Sequence, residues 1–278
     1  AEGKALLSGD GKLDGRPVKI DWEQFLESDG KPYDSKIKAQ LDADRDLRGK
    51  LNIGLDDWLE GTVPVKVDYT EYQGGRGEVR VEGNLKPATV KVMPFEYSKP
   101  PGVDGVVTCT AILQKGAVQE IKDLNVKTPE LDVKGGVMVF EDVRGVSVLR
   151  RGNIERVKLN ETDTMLDFEI GAGGRLKVGL RGAFFDARPF LKKKRKKGPY
   201  DGPPVLASVD VAKMRSSDTH IISKAKIYLD LNKIGLVDQL ELDALAGKGA
   251  LYMRLKPDPA RGVTVFRFEA DDAGEALR

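Results

Sequence analysis

The side chains best suited to nucleophilic and metal chemistry are scarce, because the 278 residues include one cysteine, Cys109, and one histidine, His220. One cysteine cannot form an intramolecular disulfide, and the pair cannot build a Cys/His zinc site. Cys109 lies in an apolar, β-branched run and is predicted to be a small strand residue. His220 has no G-x-S-x-G nucleophile motif near it and is predicted to end a strand. No catalytic residue, metal or cofactor is predicted, and the chain is not expected to be an enzyme.

Glycine clusters and aspartate pairs have ordinary structural explanations. The clusters at 74–77 and 171–174 match neither a P-loop nor a dinucleotide-binding loop, and each separates two strand-like runs. Both are therefore predicted to be hairpin turns. The pairs Asp56-Asp57 and Asp271-Asp272 each precede a short helical pattern, so we expect them to cap helices rather than bind a metal.

One segment carries six consecutive positive charges, followed by a proline-rich stretch up to residue 204. It consists of Lys192, Lys193, Lys194, Arg195, Lys196 and Lys197. The favoured interpretation is a solvated loop, because adjacent like charges repel one another. The alternative is a contact for anionic lipid head groups. Nucleic acid is not an expected partner, because the net charge is only +2 and the run has no interleaved aromatic residue.

The elements that would position any site are predicted from alternation with a period of two. Apolar residues share one face in three clear runs and alternate there with polar or charged residues. These residues are Val63, Val65 and Val67, then Val79 and Val81, then Ile227, Leu229 and Leu231. Many further short runs separated by glycine turns predict an all-β fold of long antiparallel strands. Helical pattern is limited to two short pieces within 44–59 and one from about residue 270 to the end.

Composition supports a folded β-rich chain. Hydrophobic residues make up 40% of the sequence, which is enough to form a core, so a disordered tail is excluded. No stretch approaches the ~18–20 apolar residues that a membrane-spanning helix needs. The 46 basic and 44 acidic residues nearly cancel, and outside the basic run at 192–197 they alternate with apolar residues, so we expect them on the polar faces of the strands.

Several phrases occur in an order that resembles the AsmA-like superfamily, specifically the large bacterial members with an AsmA-like C-terminal region. The resemblance extends over essentially the whole chain. It rests on the segments GKLDGRPVKIDWEQF at 11–25, LNIGL at 51–55, LEGTVPV at 59–65, GNLKPAT at 83–89, KPPG at 99–102 and EADDAGEALR at 269–278. The basic run at 192–197 is not part of it.

This resemblance implies a curled, open, groove-like sheet with an apolar interior and a role in moving phospholipid between the two membranes of Gram-negative bacteria. It also implies a periplasmic body anchored to the inner membrane by an N-terminal helix outside this sequence. Residues 1–278 would then be one elongated β-rich region excised from a longer protein, with a break near 192–204. Internal β repeats are suggested by Gly83-x-Leu-x-x-Ala88 and Gly182-x-Phe-x-x-Ala187.

Two functional hypotheses remain open from the residues alone. An apolar sheet face can form a closed core, or it can remain a trough for acyl chains, since each buried methylene contributes roughly 0.8 kcal/mol. The first hypothesis is a non-enzymatic, lipid-binding segment for phospholipid transport or outer-membrane biogenesis. The second is an envelope scaffold or protein-binding module without lipid. A glycan-cleaving enzyme is disfavoured, because Trp22 and Trp58 are the only indoles. The oligomeric state and the identity of the lipid are left open.

Overall fold

A computed structural model describes residues 3–27, 30–51, 54–191, 200, 202–258, 260–272 and 274. The basic run at 192–197 and most of the expected C-terminal helix lie outside the described residues. The fold is all-β, with 68% of residues in strands and 7% in helices. Sixteen strands form a large, open, mixed sheet whose edges are its first and last strands. The predicted all-β class, with long antiparallel strands in an open sheet and a few short helices, is confirmed.

The chain divides into two compact units, residues 1–149 and 150–278, so the division falls within a strand. The segment near 192–204, where the sequence suggested a break, belongs to the second unit.

The first unit contains eight strands of the large sheet and a small three-stranded sheet. The large-sheet strands are β1 (Lys4–Leu13), β2 (Arg16–Phe25), β3 (Ser35–Ala43), β5 (Val63–Tyr72), β6 (Arg76–Asn84), β9 (Val106–Gln114), β10 (Ala117–Lys127) and β11 (Leu131–Val143). They are adjacent in that order, and each pair whose register is defined is antiparallel. The small sheet joins β4 (Leu59–Glu60), β7 (Thr89–Val92) and β8 (Tyr97–Lys99). The helix α1 (Arg45–Lys50) precedes β4.

The second unit continues the pattern with long strands and one four-residue helix. Its elements are β12 (Val146–Leu159, which crosses the division), β13 (Thr162–Ile170), β14 (Leu176–Asp186), α2 (Arg188–Leu191), β15 (Val205–Arg215), β16 (Ile221–Leu231), β17 (Val237–Ala246), β18 (Gly249–Asp258) and β19 (Val263–Ala270). These strands are also adjacent in chain order. Strands β14 and β15 are parallel, which the all-antiparallel prediction missed. A parallel neighbour requires a connection that returns to the start of the first strand.

Each unit has a closed apolar core at one end of its strands. In the first unit the buried apolar side chains gather where α1 and the small sheet lie, a region that we call the end cap. They are Leu47, Val63, Leu85, Ala88, Val90, Tyr97 and Leu131. In the second unit a comparable cluster surrounds α2, where the rings of Phe185 and Phe190 are 5.6 Å apart.

The local predictions had mixed outcomes. The hairpin turns at 74–75 and 171–174 connect β5 to β6 and β13 to β14, so they are confirmed. One helical piece in 44–59 is present as α1, with the Asp44 carboxylate accepting a hydrogen bond from the Leu47 N–H. Asp56 pairs with Arg45 instead of capping a helix, and Asp271 accepts from the N–H of Ala250. The second expected piece is a turn at 56–58.

Candidate functional site

Apolar side chains form continuous rows across one face of the second unit. Directly paired residues share a face, so the strand registers define these rows. One row contains Ile154, Leu166, Leu180, Val209, Ile227, Leu242, Met253 and Phe268. The next contains Gly152, Phe168, Val178, Ala207, Leu229, Leu240, Leu255 and Phe266. Together they form an apolar face that extends from β12 to β19.

The first unit has an equivalent face built from β1, β2, β3, β5, β6 and β9. One row contains Leu7, Trp22, Ile37, Tyr69, Val79 and Ala111. A second contains Gly9, Ile20, Ala39, Val67, Val81 and Cys109. A third contains Gly11, Val18, Leu41, Val65, Gly83 and Val107. Apart from the exposed β1 residues and the buried Gly83, the members of these rows are half-buried.

The residues singled out from the sequence lie on these two faces. Val67 and Val81 are direct cross-strand partners, and Val79 lies opposite Tyr69. Ile227, Leu229 and Leu231 occupy the middle of the second unit's face, opposite Val209, Ala207 and Val205. The two groups belong to different units.

Val63 differs from the other candidates because it is almost completely buried, with 3% of its surface exposed. It lies at the end of β5 nearest the end cap, where its Cγ1 approaches Gly83. Val63 therefore belongs to the closed core. The remaining candidates, which are half-buried, lie on the part of each face that the cores leave open.

Sequence reasoning missed most members of these rows, including Trp22, Ile37 and Phe168. Apolar and polar residues also alternate along the strands that contain these residues, but an aromatic or small residue interrupts the simple valine or leucine pattern. The Trp22 indole N–H donates to the Ser35 hydroxyl at 3.0 Å, so its polar atom is satisfied while the ring contributes to the apolar face. Searching for alternation on every neighbouring strand would have found them.

The first unit contains a groove of about 780 Å³. One cross-strand row in its lining consists of Asp10, Lys19, Gln40, Lys66 and Glu82. The row has a carboxylate at each end, a lysine next to each carboxylate and the Gln40 amide at its centre. The lining also includes members of the third apolar row, so polar and apolar residues both line the groove: Gly11, Val18, Leu41, Val65 and Gly83.

Two buried cations hold the end cap together. The Arg48 guanidinium donates to the carbonyls of Ala43, Gly61 and Leu59 at 2.9–3.2 Å. Lys99 is 2% exposed, and its Nζ donates to the carbonyls of Ala88, Pro100 and Val103. Burial lowers the pKa of the Lys99 ammonium.

The second unit has a network of ion pairs at the α2 end of its strands. Arg188 donates to Asp186, Asp218 and Glu161, and Arg215 donates to Glu161. Burial opposes ionisation of Asp186, but its hydrogen bonds from Arg188 dominate and hold the pKa of this carboxyl below its usual value. These charged groups bind one another and stabilise the closed end.

The single cysteine and the single histidine have ordinary structural surroundings. The Cys109 thiol is half-buried, and burial raises its pKa, which is opposite to the shift that activates a nucleophilic cysteine. His220 directly precedes β16, as expected of a residue at a strand end. Among the described residues, no group of three or more His, Cys, Asp or Glu side chains is arranged to hold a metal ion.

The six basic residues proposed for anionic head groups lie outside the described residues. Within the part of the chain that the structure describes, no helix is long and apolar enough to span a membrane. Comparisons with protein-family models, curated proteins and solved structures find no match for this chain.

Proposed function

We propose that this protein is a non-enzymatic lipid-binding segment whose two apolar sheet faces hold acyl chains. The observation that carries the proposal is the continuous apolar face of each unit, which is only half-buried away from the closed end. Side chains such as Val67, Val81 and Leu229 would contact the acyl chains directly. Binding of acyl chains to an apolar surface requires no catalytic side chain.

The surface area of the chain is larger than that of two compact domains. The accessible surface is 17261 Å² for a mass of 30.5 kDa. Two separate globular domains of half this mass would expose about 7,000 Å² each, or about 14,000 Å² together. The chain therefore exposes about 3,000 Å² more than two compact domains would, whatever the placement of its units.

Burial of an acyl chain on these faces would supply enough free energy for binding. A buried methylene contributes roughly 0.8 kcal/mol, so a chain of ~16 methylenes gains on the order of 10 kcal/mol before ordering costs. The half-buried side chains of the rows would supply the contacts without a large rearrangement. Phospholipid is the proposed ligand class, with head groups held by basic residues at the margin.

The cellular setting rests on the AsmA-like resemblance. It suggests a periplasmic body, anchored to the inner membrane in the full-length protein, with a role in phospholipid transport or outer-membrane biogenesis. The open sheet is compatible with that proposal.

Native mass spectrometry and organic extraction of the purified protein test the proposal. We expect co-purifying phospholipid, or stoichiometric uptake of a fluorescent phospholipid from vesicles. A protein with neither bound lipid nor uptake would contradict the proposal and favour the scaffold hypothesis.

A further inference from the structure

Polar side chains in the groove of the first unit are available for a ligand. Among the described residues that line the groove, four exposed polar side chains form no hydrogen bond and no ion pair with the protein. They are Asp10, Lys19, Gln40 and Asp42. The ammonium of Lys66 is 3.8 Å from the Glu82 carboxylate, which is too long for a hydrogen bond.

The strand registers place three nitrogen donors side by side on one face. Lys19 of β2 pairs with Gln40 of β3, and Gln40 pairs with Lys66 of β5. Neighbouring strands are about 4.8 Å apart, so the two lysine Cα atoms lie about 10 Å apart with the amide between them. Both lysine side chains are long enough to bring their ammonium groups to the space above Gln40. Two ammonium groups and an amide N–H in this arrangement suit a phosphate, which accepts several charge-assisted hydrogen bonds.

A carboxylate lies on the same face, one step further along β3. Asp42 follows Gln40 by two residues, and residues two apart on a strand share a face and lie about 7 Å apart. Asp42 pairs with Pro64, which has no charge to neutralise the carboxylate. The groove thus has a place for a cationic group beside the place for a phosphate.

The charge of the lining favours a ligand that carries both signs. Its ionisable side chains are two lysines and the three carboxylates of Asp10, Asp42 and Glu82, so a simple anion would meet more negative than positive charge. An α-amino acid has its carboxylate and its ammonium on the same carbon, which is too close to reach both Gln40 and Asp42. A phosphate joined through two carbons to an ammonium extends over this step.

We propose that the groove binds a phosphoethanolamine group. The phosphate accepts hydrogen bonds from Lys19, Gln40 and Lys66, and the primary ammonium donates to Asp42. A choline group has no N–H to donate and is typically bound by aromatic rings, and none of the described residues in the lining is aromatic. The groove should therefore prefer ethanolamine to choline. This proposal does not depend on acyl-chain binding by the apolar faces, because a soluble phosphodiester carries the same group as a phospholipid.

Isothermal titration calorimetry of the full chain tests the groove without a membrane. We expect glycerophosphoethanolamine to bind about tenfold more tightly than glycerophosphocholine, because only the former donates hydrogen bonds to Asp42. Asp42→Asn should remove this preference. The double variant Lys19→Gln/Lys66→Gln should weaken binding of both compounds, because both contain the phosphate.

Matched controls lie on the same face, outside the lining of the groove. Lys38 precedes Gln40 by two residues on β3 and pairs with Asp68 of β5, and both residues are exposed. Asp68→Asn and Lys38→Gln should leave the affinities for both compounds unchanged. Circular dichroism checks that each variant is folded, and the substitutions are all at exposed positions.

Vesicles distinguish the two sources of the group. Flotation compares phosphatidylcholine vesicles with vesicles that also contain phosphatidylethanolamine. A preference for phosphatidylethanolamine that Asp42→Asn removes assigns the groove to a phospholipid head group, and a preference confined to the soluble compounds assigns it to a free phosphodiester. If neither measurement shows a preference for ethanolamine that depends on Asp42, the proposal is overturned. Uptake of a fluorescent phospholipid by the apolar faces is measured separately and would not change with Asp42→Asn.

Discussion

Leu229 of β16 lies directly opposite Leu240 of β17, and Ala207 of β15 lies on its other side. The three residues belong to one of the apolar rows of the second unit. Their neighbour along β16, Tyr228, lies on the charged face opposite Glu241 and Ser208. Adjacent residues of one strand thus contact two chemically different environments.

Replacing Leu229 with Asn should weaken acyl-chain binding about tenfold, because a polar amide on the apolar face loses contacts and must be desolvated. Tyr228→Asn is the matched control and should bind like the wild type. Titration with a fluorescent phospholipid measures both, and urea unfolding checks that the variants are folded. Equal affinity of the two variants in folded protein would remove Leu229 from the binding surface.

Gly182→Ala should destabilise the protein by about 1–3 kcal/mol, because the alanine overpacks a close strand contact. An added Cβ would overlap the Asp163 carbonyl oxygen and lie 2.6 Å from the Thr164 Cα, and both are backbone atoms.

Gly49→Ala is the control in α1, where an added Cβ meets nothing within 4 Å. It should stabilise the protein by about 0.5–1 kcal/mol through helix propensity. Urea unfolding gives both free energies, and a neutral Gly182→Ala would contradict the close contact at this point.

Arg48→Met should lower the free energy of unfolding by about 1–3 kcal/mol, because it leaves three carbonyls of the end cap without their donor. Arg45→Met, three residues earlier, removes a cation that is 79% exposed and should change stability by less than about 0.5 kcal/mol. The urea midpoints of the two variants provide the comparison. A loss from Arg45→Met as large as that from Arg48→Met would show that burial does not decide the effect.

Acid should destabilise the second unit through Asp186. Because its folded-state pKa lies below the usual aspartate value of 3.8, its contribution is complete above that pH and is lost as the pH falls through the folded pKa. Unfolding free energies at about pH 7 and about pH 3 should therefore differ less for Asp186→Asn than for the wild type. Asp210→Asn, at an exposed position 3.8 Å from Lys226, should keep the wild-type difference. An unchanged difference in Asp186→Asn would exclude this carboxylate as a source of acid sensitivity.

The strands and their turns could be predicted because their causes are local. Alternation around Val65, Val79 and Leu229 specifies which side chains share a face, and the glycine pairs specify where the chain reverses. That Cys109 and His220 form no catalytic constellation stays a prediction.

Only the tertiary structure decided which strands are neighbours, where the apolar faces are closed, and which residues remain open. Periodicity carries no information about strand partners, so the parallel pairing of β14 and β15 could not be derived. Val63 and Val65 have the same pattern in sequence, yet Val63 is buried near the end cap and Val65 is half-buried. The difference arises because burial depends on segments distant in the chain, such as α1 and the small sheet, which pack only once the whole unit has folded.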